Sequence, residues 1–213
     1  YRGSSVLISG TPGTGKSTLA ASPARATCQR GERCLYFAFE ESPSQILRNM
    51  RSVGIDLEPF VRKGLLQFHA SRPTLHGLEM HLTTIQKQIA DFQPQAVILD
   101  RVTNFTSVGS SNDIKSMLMR VIDFLKSKHV TGLFTTLTSG SHLSALEQTE
   151  VGVSSLMDTW LLLRDLESNG ERNRGLYVLK SRGTAHSNQV REFRLSSEGV
   201  QLIDVYVGSE GVL

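Results

Sequence analysis

The sequence predicts an α/β fold: a mostly parallel central sheet covered by helices, extended by antiparallel hairpins toward the carboxyl end. Three observations predict it. Short apolar runs alternate with amphipathic helical patterns up to about residue 138, the grammar of parallel strands joined by helical crossovers. The first of those runs passes directly through a glycine-rich turn into a helix. Beyond residue 138, strand-like segments follow one another closely, separated by turn residues and not by helices.

The elements follow in order. "SSVLISG" is a short apolar run stopped by Gly10, readable as a buried strand. "GKSTLAASPARATCQRG" has helical character and ends at Gly31, a residue suited to a carboxyl-terminal cap. Pro23 inside it is expected to kink or shorten that helix. Arg33 to Phe39 is the second strand. "ESPSQILRNMRSVG" carries helix-start chemistry, with Ser42 as cap, Pro43 at the first position and Gln45 at the third. "LLQFHA" is a further strand. Leu78, Leu82, Ile85, Ile89 and Phe92 recur at steps of four and three, the stripe of a helix lying on a sheet. "AVILD" is a fully apolar strand ending in Asp100. Ile114, Met117, Leu118, Val121, Ile122 and Leu125 form a second helical stripe, and "GLFTTLT" returns as a strand. "MDTWLLLRDLE", "NRGLYVLKSRG", "VREFRLSSEG" and "VQLIDVYV" then read as antiparallel strands extending one sheet edge, with "SNGERN" and "SSEG" as turns. Trp160 and the leucines that follow it are expected in the core.

Composition limits the function classes. A chain of 213 residues is expected to form one domain. Its formal charge of +3 comes without any basic block, which argues against nucleic acid as a partner. Cys28 and Cys34 cannot supply a disulfide framework, so a reducing compartment, the cytoplasm, is expected. No apolar run approaches the roughly 18 to 20 residues of a membrane span. The chain opens "YRGSSVLISG", without Met, and enters a strand pattern at once, as expected of a segment of a longer polypeptide with one such domain or two in tandem. His69, His76, His81, His129, His142 and His186 show no metal-ligand spacing and are read as structural, with His186 after "KSRG" the one worth testing.

"GTPGTGKS", Gly10 to Ser17, fits the phosphate-loop pattern G-x-x-x-x-G-K-S/T and lies between an apolar strand and a helix, where that loop must lie. Its glycines let successive backbone N–H groups face a phosphate, and the helix dipole favours an anion there. Thr11, Gly13, Thr14, Gly15, Lys16, Ser17 and Thr18 are the expected contacts to ATP. Lys16 would reach the outer phosphates, and Ser17 would bind Mg²⁺ through its hydroxyl. Asp100, at the carboxyl end of a buried strand, is the second expected Mg²⁺ ligand. The adjacent acids Glu40 and Glu41 end the run "LYFAF". Two buried-strand carboxylates need positive charge nearby. With that strand placed beside the phosphate loop, they would lean over the γ-phosphate, one activating the attacking hydroxyl and the other assisting.

"GTPGTGKS", "YFAFEES", "ILD" and the late "LKSRG" resemble the RecA-like P-loop ATPases in order and spacing. More narrowly, the chain resembles a domain of the KaiC family of circadian clock ATPases and serine/threonine autokinases, from "LISGTPGTGKSTL" through "FLKSKHVTGLFT" to "VREFRLSSEG". The resemblance implies paired catalytic glutamates at Glu40 and Glu41, with Glu40 the general base. It implies ATP between subunits of a ring hexamer, where Lys180 and Arg182 of "K-x-R" reach the neighbour's γ-phosphate. It implies phosphorylated residues at Ser154 and Ser155 in "TEVGVSSLMDTW", and regulatory protein partners. The chain departs from the family pattern at Ser155 and Met157, where Thr is expected, at Arg101, where small residues or Pro are usual, and at Pro23. Two other readings stay open: a DNA-dependent ATPase of RecA or DnaB type, and a nucleotide-gated signalling module with little turnover. The loops "TNFTSVGSSND" and "TSGSHLSALEQTEVG" carry no Lys or Arg, which disfavours the DNA reading.

Overall fold

The computed structural model describes residues 1–138, 152–168, 171–186 and 189–205. Strands β1 (Ser5–Gly10), β2 (Cys34–Ala38), β3 (Leu66–Ala70), β4 (Ala96–Asp100) and β5 (Thr131–Leu137) alternate with helices α1 (Lys16–Gln29), α2 (Pro43–Ser52), α3 (Glu58–Arg62), α4 (Leu78–Phe92) and α5 (Ser111–Ser127). Strands β6 (Thr159–Ser168), β7 (Glu171–Ser181), β8 (Arg191–Ser196) and β9 (Gly199–Val205) complete one nine-stranded sheet in the order β3-β2-β4-β5-β1-β6-β7-β8-β9. This is the α/β class the sequence predicts, a mostly parallel sheet of RecA-like type with an antiparallel carboxyl-terminal extension.

Strand alternation divides the core into two layers. In β2, Leu35 and Phe37 face one side, with Phe39 just beyond; Cys34, Tyr36 and Ala38 face the other. The first layer lies under α4 and α5, whose stripes bury Leu82, Ile85, Ile89, Ile114, Leu118, Val121 and Leu125. The second lies under α1 and α2. Each buried Leu, Ile or Phe contributes about 1.5–3 kcal/mol to folding, and both faces of β2 and β4 are fully buried.

Several expectations change. β2 does not lie beside β1: β4 and β5 stand between them, and β1 is flanked by β5 and β6. Sequence periodicity gives each strand's faces but not its neighbours. All five strands still run parallel, so β2 and β1 end at the same sheet edge. β6 is parallel to β1, from Val6 opposite Thr159 to Gly10 opposite Leu163, and only β7 to β9 alternate in direction. Helix α1 runs through Pro23 to Gln29 without shortening. Ala20, Ala21 and Ala24 are fully buried beside the proline, so close packing on the sheet outweighs one missing amide. The start of the predicted loop after Asp100 is a 3-10 helix over Val102–Ser107, which buries Val102 and Phe105. The capping box of Ser42 with Gln45 forms as read. Most of "TSGSHLSALEQTEVG", including His142, and residues 169–170 of the turn "SNGERN" lie outside the described residues.

Candidate nucleotide site

The phosphate loop joins β1 to α1 at the carboxyl edge of the parallel strands. Gly10 must be glycine, because a Cβ there would sit 2.4 Å from the Leu163 carbonyl oxygen and 2.8 Å from Thr14 Oγ1. Gly15 caps α1 in the left-handed region, at φ +94°, against the Phe193 ring. No side chain caps α1, so the amides of its first turn are left for a ligand. Thr14 Oγ1 donates to the Thr11 carbonyl at 2.9 Å, and Lys16 Nζ donates to the same oxygen at 2.7 Å. Thr14 and Lys16 are buried and Thr18 nearly so, whereas Gly13 opens to solvent with no atom within 4 Å of its would-be Cβ; Thr11 and Ser17 are half-buried. Burial lowers the Lys16 ammonium to about 8; Arg101 pushes the same way, and Asp100 and Asp165 oppose it.

Asp100 ends β4 at the same edge, two strands from β1. Tyr36 Oη donates to its Oδ2 at 2.6 Å, and Thr135 Oγ1 donates to its Oδ1. Burial and then the neighbouring Asp100 carboxylate raise the Tyr36 phenol far above its ordinary range, so it stays a donor. Each carboxylate oxygen keeps a second lone pair, so Asp100 remains able to hold a metal ion's water. Arg101, the next residue, forms an ion pair with Glu40.

Glu40 and Glu41 part company. Glu40 follows β2, half-exposed, and meets Arg101. Glu41 accepts from Asn49 Nδ2 at 3.1 Å, because the capping box turns the chain into α2 and draws this acid along it. The expected joint placement of both acids over one phosphate therefore meets a fork: Glu40 faces the loop after β4, and Glu41 faces α2. A cavity of about 580 Å³ opens beside Glu40, lined also by Phe39, Arg72, Thr103 and Asn104.

Arg182 lies at the other end of the sheet, and Lys180, level with the middle of β1, reaches toward that end. Lys180 pairs across from Trp160, which stands opposite Leu7 of β1. The Arg182 amide donates to the Asp158 carbonyl, and Asp158 is tied to Ser5. Ser5 precedes Gly10 by five residues, roughly 17 Å of strand. Lys180 Nζ donates to the carbonyls of Ser154 and Ser155 at 3.1 and 3.4 Å, and Arg182 to that of Ser155 at 3.0 Å. Burial first, and then Arg182, lowers the Lys180 ammonium. Ser154 and Ser155 thus sit with the two cations, both sets remote from this chain's own phosphate loop.

Sequence reasoning missed Tyr36, Thr135 and Asn49. Tyr36 carried a legible signal, since a phenol in an otherwise apolar buried strand needs a hydrogen-bond partner. Thr135 and Asn49 carried none beyond their polarity. Among the described residues no group of three or more His, Cys, Asp or Glu could hold a metal ion, and no helix is long and apolar enough to cross a membrane.

Comparison with known proteins identifies the family. The family model "ATPase: KaiC" matches residues 1–206. The whole chain is 57% identical to the circadian clock protein KaiC2 of Synechocystis sp. and covers 38% of it. It is 37% identical to the circadian clock oscillator protein KaiC of Thermostichus vulcanus and 34% identical to that of Synechococcus elongatus, in each case covering 41% of the relative. The chain spans about two-fifths of the length of these curated relatives. A family model over residues 1–206 and relatives matched along the whole chain establish that this chain, a RecA-like sheet with a phosphate-loop motif, belongs to the KaiC ATPase family.

Proposed function

We propose that the chain is one ATPase module of a longer cytoplasmic protein, and that it hydrolyses ATP at an interface between copies arranged as a ring, a hexamer by analogy with the family. The observation that carries this reading is the division of charge between the two sheet edges. The phosphate loop, Asp100 and Glu40 share one edge, while Arg182 stands at the other and Lys180 reaches toward it. Two cations so placed serve the ATP of an adjacent copy, not their own.

The loop amides and Lys16 bind the phosphates, Lys16 giving up the Thr11 carbonyl to do so. Ser17 and Asp100 would hold Mg²⁺, which would supply Lewis-acid neutralisation of phosphate charge. Glu40 takes the proton as a water oxygen bonds to the γ-phosphorus, and the bond from that phosphorus to the bridging oxygen breaks, with the electrons leaving on ADP. Glu41 supports this from α2. Lys180 and Arg182 of the neighbour offset the charge that spreads over the γ-oxygens. Where a Ser154 or Ser155 hydroxyl of the neighbour replaces water, the same centre phosphorylates that serine. Both residues lie beside the trans-acting cations. Partner proteins of the clock type would read the resulting state.

Glu40→Gln with Glu41→Gln should abolish ATP turnover while nucleotide binding persists. Turnover at the wild-type rate would overturn the assignment. Phosphopeptide mass spectrometry after incubation with Mg·ATP checks the serines: label on Ser154 or Ser155 supports autophosphorylation, and its absence leaves a plain ATPase.

A further inference from the structure

Arg101 is a cation of this edge that neither the phosphate loop nor the trans-acting pair accounts for. It directly follows Asp100 at the end of β4, and its guanidinium is ion-paired with Glu40. Strand order places it between two anion sites. On one side β2 brings Glu40. On the other, across β5, β1 brings the phosphate loop, two strands or about 10 Å away. An extended arginine spans most of that gap. Arg101 already lies near enough to Lys16 for its charge to oppose that ammonium. The side chain is only 22% exposed, and Glu40 is 49% exposed, so the pair lies at the mouth of the site and is partly desolvated.

Two cations approach the loop: Glu40 is paired with Arg101, while Lys16 is held by the Thr11 carbonyl and favoured by the charges of Asp100 and Asp165. A triphosphate brings a stronger anion than one carboxylate, and its γ-oxygens match the planar guanidinium fork bidentately. ADP, without that group, offers the loop its β-phosphate but nothing at the distance of Arg101.

We infer that Arg101 is a γ-phosphate-selective residue held in reserve by Glu40: ATP draws the guanidinium off the carboxylate, so that binding of the triphosphate frees the base that turnover needs. Loss of the γ-phosphate returns Arg101 to Glu40 and shuts the site. This makes Glu40 available only in the ATP state and discriminates ATP from ADP by a contact built into this chain. The inference rests on the assignment of ATP to the phosphate loop.

Equilibrium binding of ATP and ADP to the full-length protein tests it, with turnover blocked by the Glu40→Gln background. There the Glu40 carboxylate that Arg101 pairs with is gone, so an effect of removing the arginine that falls on ATP and not on ADP reports a contact to the γ-phosphate. Adding Arg101→Ser to Glu40→Gln should weaken ATP binding about tenfold, the loss expected for one charge-assisted pair, and change ADP binding less than about twofold. Adding Arg101→Lys should recover part of the ATP affinity, because the charge returns without the fork. Equal ATP affinity in Glu40→Gln and in Glu40→Gln/Arg101→Ser would show that Arg101 only neutralises Glu40, and would overturn the inference. An equal loss for ATP and ADP would overturn it too, pointing to a structural role. Failure of the unmodified protein to bind either nucleotide would instead overturn the assignment of the phosphate loop.

Discussion

Tyr36 and Asp100 form a hydrogen bond of 2.6 Å between adjacent strands, with the phenol wholly buried and the carboxylate nearly so. Thr135, from the strand on the other side, donates to the second oxygen. An acid at the end of a buried strand is thereby held in one orientation before any ligand arrives.

Removing either donor leaves a buried carboxylate oxygen short of a partner. Tyr36→Phe and Thr135→Val are each expected to destabilise the fold by about 1–3 kcal/mol. Urea unfolding measures this, and the slope of the transition should stay unchanged while its midpoint falls. A stability equal to wild type in both variants would mean that the pair contributes nothing.

Asp158 ties the start of β6 to the start of β1 and, through its carbonyl, holds the Arg182 amide. Partial burial acts to raise its carboxyl, but the Ser5 amide, Lys126 and the Ser5 hydroxyl together bring it below the ordinary value of 3.8. The folded state therefore binds this proton less readily than the unfolded chain. The stabilisation is complete above the unfolded value, about 4, and is lost as pH falls through the lower folded one. Thermal unfolding across the acid range should show that limb in the wild type and a flatter one in Asp158→Asn.

Lys16, lowered to about 8 by burial and by Arg101, gives nucleotide affinity a pH dependence. A polyphosphate favours the ammonium form, so bound Lys16 has a higher pKa than free Lys16. Between the two values, binding takes up a proton, and affinity falls as pH rises past 8. Calorimetry at about pH 8.5 in buffers of different ionisation heat should report that uptake. Affinity unchanged from about pH 7.5 to 9.5 would contradict it.

The alternation of strands and helices was legible because their burial patterns differ in period. The stripe from Leu82 to Ile89 packs into one core layer, and the runs "AVILD" and "GLFTTLT" bury residues in both, as strands covered on two faces do. The turn after β2 was legible because a Ser–Pro–x–Gln start is local chemistry. What was hidden is tertiary. Nothing in "LYFAFEES" says that β4 and β5 intervene before β1, or that Arg101 faces Glu40 while Asn49 takes Glu41. The full length of the helix through Pro23 was not legible, because the alanine packing around the proline is a tertiary feature. Val102 and Phe105, three residues apart, fit the three-residue turn of a 3-10 helix, too short a pattern to stand out in sequence.

Mixing two inactive variants of the full-length chain tests the division of labour between the sheet edges. One carries Glu40→Gln and Glu41→Gln; the other carries Lys180→Ala and Arg182→Ala. If cations act across an interface, co-assembled rings restore intact centres at about a quarter of their interfaces, with ATP turnover to match. A mixture no more active than its two parents, despite proven co-assembly, would contradict action between copies.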